Sequence, residues 1–124
     1  MKIVIADDSP LIRERITNQL REFGKDILVF EASNGIDALA MILAHLPDLA
    51  ILDLRMPGMS GLDVLKKIKV AGIRSRICIL TSYPYPQYRE KCTEAGADYF
   101  LSKSEDFEKL NAAMADTIRD FGTD

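Results

Sequence analysis

Long hydrophobic runs are missing from this 124-residue chain. Its unbroken apolar stretches have the length of strands, far short of the ~20 residues a membrane-spanning helix needs. The start MKIVIADD passes from one lysine straight into a strand pattern, so neither a leader nor an anchor is expected. Cysteine is scarce. Cys78 lies inside RICIL and Cys92 in a helix-like stretch, with no CxxC spacing and no histidine cluster nearby. Both read as small, reduced hydrophobes of a cytoplasmic protein. The single histidine, His45, ends a helix pattern just before Pro47, where a cation suits the helix dipole, and it is not read as a catalytic group or ligand. An excess of one charge sign is also lacking: a formal net charge of −3, with acids and bases interspersed, leaves no basic stripe for nucleic-acid phosphates. Direct nucleic-acid binding is not expected. What remains is 48% hydrophobic composition in a length suited to one core, and a single domain over residues 1–124 is expected.

Against that background, polar residues recur where hydrophobic runs stop: Asp7 and Asp8 after KIVIA, Asp53 after LAIL, Thr81 after ICIL and Lys103 after YFLS. Strands are expected over Lys2–Ala6, Ile27–Ala32, Leu49–Asp53, Ile77–Thr81 and Tyr99–Ser102. Helix patterns fill the gaps. The first begins at Pro10 with Ser9 as cap and carries Ile12, Ile16, Leu20 and Phe23 until Gly24. The second starts near Asn34, carries Ile36, Leu39, Leu43 and Leu46 on one side, and stops at Pro47. Ser60 caps the third, with Leu62, Leu65 and Ile68 as its stripe and Gly72 past its end. The fourth, about Pro86 to Ala95, has a weak stripe. A fifth, from about Asp106, places Phe107, Leu110, Met114, Ile118 and Phe121 on one face, and the tail beyond Phe121 reads as a frayed end.

Five strands alternating with five helices predict a parallel α/β sandwich of three layers. The flavodoxin-like order 2-1-3-4-5 puts the first and third strands together at the switch point where ligands bind. Asp7, Asp8 and Asp53 then become neighbours. Mg²⁺, or Mn²⁺, takes hard oxygen ligands, and Asp8 and Asp53 can supply carboxylates with Asp7 holding a metal-bound water. Crowding three acids raises the pKa of at least one unless cations intervene, and Lys103 and the metal are those cations. An aspartate is also a nucleophile toward phosphorus, and metal, Lys103 and the Thr81 hydroxyl can each take one side of a phosphoryl group. In DLRMPGMSG the Pro57-Gly58 pair makes a tight turn, so Leu54 and Arg55 can offer backbone groups to phosphate and metal.

With these residues in place, the chain resembles the receiver domain of two-component response regulators, of the chemotaxis-regulator kind, over essentially its full length. The matching motifs are IADDSP with Asp7 and Asp8, LDLRMPGMSG with Asp53, ILTS with Thr81 and Ser82, and AGADYFLSK with Lys103. The resemblance implies that Asp53 accepts a phosphoryl group from a phosphohistidine on a sensor histidine kinase or phosphotransfer protein. It implies Mg²⁺ held by Asp8, Asp53 and the Arg55 backbone carbonyl, with Asp7 acting through water. Thr81, Ser82 and Lys103 bind the phosphoryl oxygens. Phe100 stands where such domains carry a switch aromatic that turns inward as the Thr81 hydroxyl moves. The surface that switches is then the fourth helix, fifth strand and fifth helix, a site for a downstream partner or a second copy of the chain. Such a protein is not an enzyme toward other substrates and catalyses only its own phosphorylation and dephosphorylation.

Several positions depart from the family pattern. Ser104 follows Lys103 where many receivers have a cis proline; a cis bond to a non-proline residue costs ~2.5–4 kcal/mol, so a trans bond is predicted. Ser104, Glu105 and Asp106 then read as a helix N-terminus. Pro84 and Pro86 stiffen the segment after Thr81, and Tyr85 and Tyr88 offer an exposed patch. Arg55 and Tyr83 flank the approach of water to an acyl phosphate and are expected to slow its loss. Among rival readings, a flavin protein needs a glycine- or serine-rich phosphate loop where DDSP stands. A phosphatase of the haloacid-dehalogenase pattern needs an acid at the position of Arg55. The third rival is a phosphorylation-independent docking module, a pseudo-receiver.

Overall fold

A computed structural model describes residues 1–24 and 26–121; the expected frayed tail lies outside the described residues. Strands β1 (Lys2–Ala6), β2 (Leu28–Ala32), β3 (Leu49–Leu52), β4 (Arg76–Thr81) and β5 (Tyr99–Ser102) alternate with helices α1 (Pro10–Arg21), α2 (Gly35–His45), α3 (Gly61–Val70), α4 (Pro86–Glu94) and α5 (Leu110–Phe121). All strand pairs are parallel, in the order β2-β1-β3-β4-β5 of the flavodoxin-like fold.

The two-residue period of the strands divides the core between the faces of the sheet. Val4, Ala6, Ala50, Leu52, Ile77 and Ile79 pack with Ala38 and Ile42 of α2, Val64, Leu65 and Ile68 of α3 and Cys92 of α4. Ile3, Ile5, Leu49, Ile51, Cys78 and Leu80 pack with Ile16 and Leu20 of α1 and Leu110 and Met114 of α5. Both cysteines are free and buried, and His45 stacks on Phe30 with ring centroids 3.9 Å apart.

Three helices start at one edge of the sheet because a polar side chain satisfies a free N–H of the first turn. Ser9 Oγ accepts from the Ile12 N–H, Asn34 Oδ1 from Asp37 at 2.8 Å, and Ser60 Oγ from Asp63 at 3.1 Å. The expected stripe of α2, however, faces the wrong way: Ile36, Leu43 and Leu46 are 56%, 49% and 63% exposed, Leu39 is half-buried, and Gly35, Ala38 and Ile42 are buried instead. The cause is a close approach at Gly35, where a Cβ would lie 1.9 Å from the Met59 carbonyl oxygen. The face that carries Gly35 must therefore turn inward, taking Ala38 and Ile42 with it, and Ile36, Leu43 and Leu46 are turned out.

The start of the fifth helix also differs from expectation. Residues 103–105 form a turn, a 3₁₀ turn covers Phe107–Lys109, and α5 begins at Leu110. Asp106 stands at the N-terminus of that 3₁₀ turn, its carbonyl accepting from the Lys109 N–H at 2.8 Å, while its carboxylate accepts from the Ser102 N–H at 2.9 Å and ties the turn to β5. Within α5 the buried stripe is Leu110, Ala113, Met114 and Thr117. Ile118 turns off that stripe and Phe121 lies over Arg76, so both are partly exposed. The peptide bond after Lys103 is trans, and no cis bond occurs among the described residues.

Candidate functional site

The parallel register carries the polar positions to one edge. Ala6 lies between Ala32 and Leu52, and the next residue, Asp7, donates its N–H to the Ala32 carbonyl while Asp53 donates to Ala6. On the other side Lys103 donates its N–H to the Thr81 carbonyl at 2.8 Å. The result is a cleft of about 520 Å³ walled by Asp7, Asp8, Asp53, Arg55, Ser82, Tyr83 and Lys103, with Ser9, Ile12 and Ser104 at its rim.

Asp7 is buried and fixed on three sides. Its Oδ1 accepts from the Ser9 N–H at 2.9 Å, its Oδ2 lies 2.6 Å from Lys103 Nζ, and its carbonyl accepts from Arg13, which also pairs with Glu31. Lys103 Nζ reaches Asp53 Oδ2 as well, at 3.2 Å. Ser104 after the lysine has thus not displaced the ammonium from the acids. Asp53 sits at the mouth of a loop that folds back tightly: the Gly61 N–H donates to the Leu54 carbonyl, and a Cβ at Gly61 would lie 2.2 Å from the Asp53 carbonyl oxygen. Gly58, at φ +79°, makes the turn within that loop.

Burial pushes the Asp53 carboxyl up to about 6, against the pull of Lys103 and with a further push from Asp7. For Lys103, burial alone would lower the pKa, but the hydrogen bond to Asp7 and the charges of Asp53 and Asp7 outweigh it and raise the group above an ordinary lysine. Two buried acids share one cation, and a third, exposed acid, Asp8, stands beside them. One carboxylate oxygen from each of Asp7, Asp8 and Asp53 lies within 4.8 Å of the others, so the three can converge on one ion. An all-oxygen, acidic donor set fits Mg²⁺ or Mn²⁺ rather than a softer metal.

Thr81 is brought to the same edge but fully buried, with Ser82 and Tyr83 forming the cleft wall beyond it; its Oγ1 accepts from the Tyr83 N–H at 2.8 Å. Phe100, on β5, is buried at 5% exposure, with the Arg89 guanidinium 4.9 Å above its ring. Arg55 and Tyr83 do meet over the cleft: the guanidinium lies 4.1 Å from the Tyr83 ring centroid and donates to Tyr88 Oη at 2.8 Å. The sequence reading missed that bond to Tyr88, the grip of Ser9 and Arg13 on Asp7, and the hold of Asp106 on Ser102. A capping Ser9 was visible, but nothing in the order of residues marked its N–H as a partner for Asp7.

An open parallel sheet with three acids and a lysine at its carboxyl edge defines a flavodoxin-like domain with an acidic pocket at the switch point. Residues 3–115 match the response regulator receiver domain family, and the chain belongs to that family. It is 34% identical over 119 residues to the probable transcriptional regulatory protein NarL of Mycobacterium tuberculosis, covering 96% of this chain and 55% of that one. The NarL receiver structure superposes with a TM-score of 0.85 at 32% identity and 96% coverage of each chain. Sporulation initiation phosphotransferase F of Bacillus subtilis is 33% identical over 113 residues, 91% of this chain and 90% of its own. CheY of Borrelia burgdorferi, solved in a CheX–CheY–BeF₃–Mg²⁺ complex, gives a TM-score of 0.83 at 26% identity, covering 93% of this chain and 87% of that one. The chain spans about half the length of NarL and the other first-ranked curated relatives. No helix among the described residues is long and apolar enough to cross a membrane.

Proposed function

We propose that this domain is the phosphoacceptor of a two-component or phosphorelay pathway, with Asp53 as the acceptor. The observation that carries the reading is the single ammonium of Lys103 held between Asp7 and Asp53 beside a third acid, at the mouth of an open cleft. An Asp53 carboxylate oxygen attacks the phosphorus of a phosphohistidine on a sensor kinase or phosphotransfer protein. The P–N bond breaks with its electron pair left on the imidazole nitrogen, and an acyl phosphate forms. Asp8, Asp53 and the Arg55 carbonyl, with Asp7 acting through water, would hold Mg²⁺, which would supply charge neutralisation to the phosphoryl oxygens. Lys103 neutralises a second side. Thr81 gives up its bond from the Tyr83 N–H to donate to the phosphoryl group, with Ser82 beside it, and Phe100 follows as the aromatic of the α4–β5–α5 surface.

Borrelia CheY, solved with beryllofluoride and Mg²⁺, and the phosphotransferase F relative support this chemistry for the shared fold. Acetyl phosphate with Mg²⁺ should add one phosphoryl group by intact mass to the wild type and none to Asp53→Ala. Equal labelling of both would move the acceptor elsewhere, and no labelling of either would favour a docking module. The Arg55–Tyr83 pair screens the acyl phosphate from water, so Arg55→Asn with Tyr83→Glu should shorten the phosphoryl lifetime. An unchanged lifetime would remove that role from both residues.

A further inference from the structure

A guanidinium beside three carboxylates ordinarily pairs with one of them. Arg55 does not, although it walls the same cleft as Asp7, Asp8 and Asp53; among the described residues it enters no ion pair. Its partners are neutral. It lies over the Tyr83 ring, donates to Tyr88 Oη at 2.8 Å, and sits 5.7 Å from the centroid of the Tyr88 ring. Tyr88 belongs to α4, where its ring packs on the core under α3 and α4, and the Tyr85 ring lies 5.9 Å away. The first turn of α4 thus clasps a cation that the acidic cluster would otherwise attract.

We propose that Tyr88 is a positioning residue for the phosphoryl chemistry of Asp53: its hydroxyl holds Arg55 off the acids, and a phosphoryl group on Asp53 takes Arg55 from it. This rests on Asp53 being the acceptor. A phosphoryl group two residues from Arg55 brings nearly two negative charges and oxygens suited to a planar guanidinium, whereas the phenol offers one neutral acceptor. On turning to those oxygens Arg55 gives up the phenol. The exchange links the occupancy of Asp53 directly to the first turn of α4, by a path separate from Thr81 and Phe100. By reciprocity, whatever strengthens the Arg55–Tyr88 bond weakens the phosphorylated form, and whatever removes it does the opposite.

The test uses the full chain. Tyr88→Phe keeps the ring and deletes the oxygen, so it should lengthen the phosphoryl lifetime about threefold to tenfold after acetyl phosphate is removed. In an Arg55→Ala background the same change should have no effect, which a merely structural role of Tyr88 would not produce. With ¹³Cζ-tyrosine labelling the four tyrosines give four resonances, the Tyr88 signal is assigned by its loss in Tyr88→Phe, and it should shift when beryllofluoride and Mg²⁺ are added. A wild-type lifetime in Tyr88→Phe, an equal effect with Arg55 absent, or a Tyr88 resonance unmoved by beryllofluoride each overturns the proposal. If the wild type takes no phosphoryl group at all, the acceptor reading itself has failed and this inference falls with it.

Discussion

Replacing Asp53 by asparagine should stabilise the metal-free protein, and only above a definite pH. Burial raises this carboxyl from 3.8 to about 6. At 1.36 kcal/mol per pKa unit, holding its charge in the folded state costs about 3 kcal/mol at neutral pH. Because the folded-state value is raised, the folded protein binds the proton more tightly than the unfolded chain. Its contribution is complete below pH 3.8, where both states are protonated, and is lost as the pH rises through about 6. Asp53→Asn removes the charge while Lys103 keeps Asp7 at 2.6 Å. Urea unfolding of both proteins from pH 4 to 8 in a chelator isolates the effect. Asp106, Asp116 and Asp120, whose lowered values favour folding at higher pH, cancel in the difference. That difference should climb between about pH 4 and 6.5 and level off near 3 kcal/mol, about 10 °C in Tm. Saturating Mg²⁺ should narrow it, since a ligand at a hundredfold excess over Kd adds about 2.7 kcal/mol to the protein that binds it. A difference that stays flat with pH, or an Asp53→Asn protein less stable at pH 8, would refute the reasoning.

Lys103→Met should leave Mg²⁺ binding by calorimetry intact while slowing acetyl phosphate labelling about a hundredfold, the effect of removing one charge stabiliser from an acyl- or phosphoryl-transfer site; an unchanged labelling rate would deny Lys103 its role. Gly61→Ala sets a methyl group 2.2 Å from the Asp53 carbonyl oxygen, with backbone on the other side, and should lower stability by about 3 kcal/mol in urea. A wild-type midpoint would mean the loop has room that the geometry denies it.

What could be read from the order of residues was whatever follows from local period and position. Five strand runs, four of them stopping at the polar residues of the site, defined the sheet, its edge and the residues gathered there, because parallel strands necessarily bring their carboxyl ends to one side. Ser9, Asn34 and Ser60 were legible as caps for the same local reason. The inward face of α2 was not. Its two candidate stripes are both apolar, and the choice is made by a distant contact, the Met59 backbone against Gly35. Tyr88 was equally hidden: 33 residues separate it from Arg55. The placement of α4, whose own stripe holds one buried residue, is set by its neighbours rather than by its sequence.

The site and the fold pull against each other, and this makes the domain responsive. The core would be better served by an uncharged group at Asp53, and the acids by an Arg55 turned inward. The first conflict is held by Lys103 and the second by Tyr88. A cation relieves the repulsion among the acids, and a phosphoryl group offers Arg55 a better partner than a phenol. Each ligand would therefore act through a difference between states already built into the site, as a shift in a conformational equilibrium requires. With Asp53 in the proposed acceptor role, a partner that grips α4, where Tyr88 lies, would change how long the phosphoryl group is kept without reaching the cleft.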